Sequence, residues 1–111
     1  MKKTSLLLIA AALAVAVPSS FAAPAAEAWE NSCAACHGAE GKGDTKQGKK
    51  LKVKDYTDKA ALAGMSDAQL AAAIADGVKD EKGKDRMQGF KDEYSSEEIA
   101  ALVQFIRAMA K

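Results

Sequence analysis

Cys33 and Cys36 stand three residues apart, and His37 follows the second directly. On a helical turn, positions i, i+3 and i+4 share one face, so two thiols and one imidazole project together. A Cys-x-x-Cys pair has several uses: a dithiol redox site, half of a zinc site, or a disulfide. The chain holds two cysteines and one histidine in all, too few for a four-ligand zinc site. A thioredoxin-like site needs alternating strands and helices, and no strand-period segment is visible. A disulfide across this spacing would close a tiny loop and stabilise little. Cys-x-x-Cys-His as a unit is the attachment pattern of c-type haem. Each thiol adds to a vinyl group of the porphyrin and becomes a thioether, and the histidine ligates iron beneath the ring. Ala34 and Ala35 are small enough to let a flat macrocycle approach the backbone.

The elements that must position this turn can be read around it. Residues 24–35 predict a first helix: Pro24 suits a helix start, and alanine, Glu27 and Glu30 favour the conformation. Glu27 and Glu30 are placed in the early turns, where the helix dipole favours acids. Trp29 lies one turn before Cys33 on the same face, a core position. Residues 38–55 show no clear period and contain Gly38, Gly41, Gly43 and Gly48, so they predict a loop anchored inward by Leu51, Val53 and Tyr56. Residues 57–63 predict a short helix capped by Thr57 or Asp58 and stopped at Gly64. Ser66 and Gln69 form a capping box, with Met65 and Leu70 at the two positions of a hydrophobic staple. That helix should run to Asp76 and end at Gly77. Residues 78–94 predict a second loop, neutral in formal charge, with Met87 and Phe90 as its central large apolar residues. Ser95 and Glu98 form another capping box. Ile99, Leu102, Val103, Ile106, Met109 and Ala110 follow at helical spacing, with Phe105 widening the face. Arg107 and Lys111 are expected in the last turns, where cations suit the dipole.

The first 22 residues read as a leader. Met1-Lys2-Lys3 is a basic start, Leu6 to Val17 an apolar core, and Pro18 to Ala22 a small-residue exit. Twelve apolar residues span ~18 Å as a helix against the ~30 Å of a bilayer core, so a cleaved signal is expected rather than an anchor. Cleavage after Ala22 places Ser20 and Ala22 at the two small-residue positions. One domain, residues 23–111, would remain. Losing Lys2 and Lys3 leaves 14 basic against 15 acidic side chains, a balance that does not point to a nucleic-acid binder. Aromatics make up 5% of the chain, and much of its apolar content is alanine. A domain this small is hard to stabilise on side chains alone, and a macrocycle would complete its core.

One histidine leaves the other axial position of the iron to methionine, lysine or water. Met1 departs with the leader, Met65 serves the staple, and Met109 lies on a core face. Met87, in a charged loop near Gly89, is left as the distal ligand, and a thioether suits haem iron.

The chain resembles a small monohaem class I cytochrome c of bacterial type over residues 29–111. Cys33, Cys36 and His37 match that family's attachment site, and Arg86-Met87-Gln88-Gly89-Phe90 before the last helix matches its distal-ligand segment. The resemblance implies an all-α cytochrome c fold. Three to four short helices would wrap one covalently attached haem, with the first and last helices crossing through Trp29 and Phe105. Gln88 stands where many relatives carry proline, and no proline follows Pro24, so the resemblance assigns no acceptor to the ring N–H of His37. The function implied is a periplasmic, monomeric electron carrier rather than an enzyme, working with redox protein partners of acidic docking surface. Lys42, Lys46, Lys49, Lys50, Lys52 and Lys54 read either as an ordinary solvated loop or as a rim that steers such partners to the haem edge. Two readings compete: an open-coordination haem protein reactive with gases or peroxide, and a haem subunit of a larger oxidoreductase.

Overall fold

The computed structural model describes residues 22–111, so the leader and its cleavage point lie outside the described residues. Six helical pieces and one small hairpin follow in order: α1 (Ala22–Ser32), α2 (Ala34–His37), α3 (Lys46–Leu51), α4 (Lys59–Leu62), α5 (Asp67–Asp76), β1 (Val78–Lys79), β2 (Asp85–Met87) and α6 (Ser96–Arg107). The architecture is all-α in class, since the hairpin pairs only a few residues of each strand.

The strongest sequence signals mark the strongest elements. Both capping boxes are formed. Ser66 Oγ accepts from Gln69 N at 3.1 Å while Gln69 Oε1 accepts from Ser66 N at 2.8 Å. Ser95 and Glu98 do the same for α6, at 3.1 and 3.0 Å. These exchanges satisfy N–H groups that a helix start otherwise leaves bare. Gly77 ends α5 with φ 81°, a left-handed backbone that glycine tolerates. Asp58 caps α4 by accepting from Ala60 N.

The core lies where α1, α5 and α6 meet. Ile99, Leu102, Val103 and Ile106 of α6 are buried against Ala25, Ala28 and Trp29 of α1 and Leu70 and Ile74 of α5. Trp29 and Phe105 meet with ring centroids 5.9 Å apart and planes at 45°. Arg107 of α6 pairs with Asp67 and donates to Met65 O at 2.7 Å, tying the start of α5 to the end of α6.

Four local expectations are corrected. The first helix does not run unbroken to Ala35: it ends at Ser32, and Cys33 turns the chain into α2. At the junction Cys33 N still donates to Trp29 O at 2.9 Å, but Cys33 itself leaves helical geometry with φ −120°, and Ser32 Oγ is bonded to Tyr94 Oη at 2.6 Å. The glycine-rich segment 38–55 contains a helix, α3, capped by Thr45. The segment 78–94 contains the β1–β2 hairpin, with Val78 opposite Met87 and a bulge before Lys79. Its turn is built by Asp80, whose Oδ1 accepts from Lys82 N and Lys84 N. Finally, α6 stops at Arg107. Met109 lies past it, where a methyl on Gly41 would strike its sulfur, and Lys111 N donates to Thr57 O at 3.0 Å.

Candidate haem site

The Cys-x-x-Cys-His turn is held by three carbonyl contacts. Cys36 O accepts from Thr45 Oγ1 at 2.5 Å, and the same hydroxyl accepts from Gly48 N at 2.9 Å. His37 O accepts from Gly43 N at 2.8 Å. Gly38 O accepts from Trp29 Nε1 at 3.0 Å. Within the turn, Cys33 O takes N–H bonds from both Cys36 and His37, at 3.2 and 2.9 Å. Helix α3, unseen in the sequence, is thus the brace of this turn. Gly48 has to be glycine there, since a Cβ would collide with Cys36 O.

The two thiols are free, not bridged. Burial, and then the neighbouring Cys36, pushes the Cys33 thiol up to about 11, so it stays protonated at neutral pH. Burial also lowers the His37 pKa, which favours the neutral imidazole a metal requires. His37 Nδ1 is buried with no hydrogen-bond partner.

Cys33, Cys36 and His37 border a cavity of about 690 Å³. Leu70 and Ile74 of α5 and Leu102 and Ile106 of α6 also line it. Met87 reaches it from the end of β2, and Leu51, Val53 and Leu62 add apolar wall. The residues fit a covalently held porphyrin. The volume lies within the range of cofactor sites, the lining is largely apolar, and two free thiols and one neutral imidazole meet at it.

Met87 is held despite Gln88 standing in place of proline. Val78 pairs with it across the hairpin. Beyond it, Phe90 N and Lys91 N donate to Ile74 O and Ala75 O at 2.9 and 3.1 Å. Gly77 and Gly89 let the two backbones touch, because a Cβ at Gly77 would meet Met87 O and one at Gly89 would lie 2.6 Å from Ala75 O. Met65 also borders the cavity, which the staple assignment did not foresee. Its sulfur lies 3.7 Å from Lys54 Nζ. Met109 does not line the cavity.

This arrangement of helices around a cavity edged by Cys-x-x-Cys-His defines a haem protein of the c type. The sequence profile of the family described as Cytochrome c matches residues 22–110, and the chain belongs to that family. It carries a c-type haem covalently attached through Cys33 and Cys36 and transfers electrons with redox partners. No curated protein matches the chain. Among solved structures, the KustC0563 c-type cytochrome is similar at 28% identity with TM-score 0.67, over 78% of this chain and 98% of its own. Cytochrome c6C from Synechococcus sp. PCC 7002 is similar at 26% identity with TM-score 0.52, over 78% of this chain and 94% of its own. The c-type cytochrome NirC shares the fold at 20% identity with TM-score 0.60, over 80% and 93%.

Proposed function

We propose that the protein is an exported periplasmic carrier that passes single electrons through an iron held between His37 Nε2 and Met87 Sδ. The observation that supports this most is that both side chains border the same cavity as the two thiols. A low-spin iron with both axial positions filled exchanges electrons with little change of geometry, and methionine opposite histidine raises the potential. The leader-like N-terminus supports export. No helix of the described residues is long and apolar enough to cross a membrane.

Docking is proposed to be brief and guided by charge. Lys46, Lys49 and Lys50 are exposed on α3, and Lys52 and Lys54 border the cavity itself. Glu40 pairs with Lys42 at 3.0 Å, so Lys42 is in part neutralised. An acidic partner would meet this side of the molecule. Among the described residues Val78 is the one exposed large apolar side chain, which favours a free carrier over a subunit fixed in a larger oxidoreductase.

Because Met65 also borders the cavity, the ligand test needs both methionines. The ferric protein should show the weak far-red sulfur-to-iron band. Met87→Ala should abolish it and Met65→Leu should leave it. Loss of the band in Met65→Leu would transfer the role to that residue. A wild type that lacks the band and binds carbon monoxide readily when reduced would establish the open-coordination reading instead.

A further inference from the structure

Among the described residues, His37 Nδ1 is the buried side-chain nitrogen left without a hydrogen-bond partner. A metal-bound imidazole ordinarily donates its second N–H to a carbonyl, carboxylate or water, which fixes the ring plane and raises its basicity. Here the carbonyls around the turn are engaged by other donors: Cys36 O by Thr45, His37 O by Gly43, and Gly38 O by Trp29. Yet the ring is not loose. Tyr56 stacks on it with centroids 5.2 Å apart and planes within 20°. Trp29 meets it at 5.6 Å and 41°. Tyr56 and Trp29 also meet each other edge-on at 6.3 Å.

Tyr56 is itself well anchored. Its N–H donates to Gly41 O at 2.8 Å. The next residue is fixed by Asp55, whose Oδ1 accepts from Thr57 N at 2.9 Å and Thr57 Oγ1 at 2.6 Å. Gly41 stands close behind the ring's root: a Cβ on it would lie 3.3 Å from Tyr56 Cβ.

We propose that Tyr56 is the positioning residue for the His37 imidazole, setting its plane by stacking, with Trp29 as the second wall, in place of a hydrogen bond to Nδ1. This rests on His37 being the iron ligand. An aromatic face restrains tilt and rotation but draws no proton density from Nδ1, so the imidazole remains a weaker donor than a hydrogen-bonded one. Ferric iron is then less stabilised, and the potential is set higher than the same ligands would give with an acceptor present.

The chain's single histidine makes the test direct, since isotopic labelling of histidine ring nitrogens reports one ring. In the ferric holoprotein, a hyperfine-shifted ring identifies His37 as the ligand. An unshifted ring would remove that assignment and this proposal with it. In the reduced, diamagnetic wild type, Nδ1–H should show no hydrogen-bond coupling to a carbonyl carbon. Such a coupling would overturn the proposal while leaving ligation intact. Tyr56→Phe should keep the haem-methyl shift pattern and the midpoint potential of the wild type, whereas Tyr56→Leu should redistribute the methyl shifts and move the potential. An unchanged pattern in Tyr56→Leu would overturn it. The wild-type coupling measurement stands even if the leucine variant fails to mature.

Discussion

Thr45 uses one oxygen twice, donating to Cys36 O and accepting from Gly48 N, and so joins the cap of α3 to the haem-attachment turn. Thr45→Val keeps the shape and loses both bonds. It should lower unfolding stability by about 1 kcal/mol, the usual effect of losing such a cap, with Thr45→Ser close to wild type in denaturant titration of the holoprotein. This residue illustrates what sequence reading reaches at the smallest scale. Cys33, Cys36 and His37 were legible because their relation is local: the covalent spacing alone puts them on one turn. Thr45 and Tyr56 were not, because their work depends on which segment folds back against them. A threonine among glycines and lysines carries no such mark. Met87 was reached by elimination, and the cavity adds Met65 as a second thioether at its edge.

Elements declared themselves where they carried their own start and stop chemistry. Ser66 with Gln69, Ser95 with Glu98, and Gly77 mark helix ends through bonds made within a few residues, so they survive any tertiary context. The missed elements lacked that. Helix α3 is under two turns long and has no apolar stripe, and the strands of the hairpin are too short to alternate. Gly77 does more than stop α5, because its bare α-carbon admits the backbone of Met87 and Gly89. Gly77→Ala combines a left-handed backbone with that collision, so it should destabilise the protein by more than about 1 kcal/mol and weaken the far-red band, read by denaturation and ferric absorption. The α5–α6 tie predicts a pH response. The hydrogen bond from Arg107 comes first, aided by Arg107's charge and by Gln104, and it holds the Asp67 carboxyl below its ordinary value. The folded chain therefore binds that proton less readily than the unfolded chain. The contribution is present above the ordinary aspartate range and fades as pH falls through the lowered value. Arg107→Gln should shallow the loss of stability on the acid side, measured as melting temperature against pH.

At the scale of the whole molecule, the charge on one side and the cavity at the centre matter most. The segment 38–55 carries six lysines against three acids, while the whole chain is close to neutral, with a formal charge of +1. The rate of electron exchange with an acidic redox partner should fall as ionic strength rises, since exposed charges are screened over a Debye length of about 10 Å at 0.1 M salt. A flat response in stopped-flow kinetics would place docking elsewhere. The cavity borders Leu70, Ile74, Leu102 and Ile106, which are also core residues, so a porphyrin held there would share its wall with the core. A Cys33→Ser/Cys36→Ser chain, unable to hold the porphyrin covalently, should lose cooperative unfolding by circular dichroism. A colourless double variant with a sharp transition would count against that dependence. By itself the sequence determined the attachment turn, the two capped helices and the family, because each rests on residues a few positions apart whose chemistry is set by spacing. Only the tertiary structure decided that α3 braces the turn, that glycine-on-glycine contact rather than proline holds the Met87 segment, and that Tyr56 lies on the imidazole. Those are meetings of distant segments, and which surfaces come together is settled by how the whole chain buries its apolar side chains around one cavity.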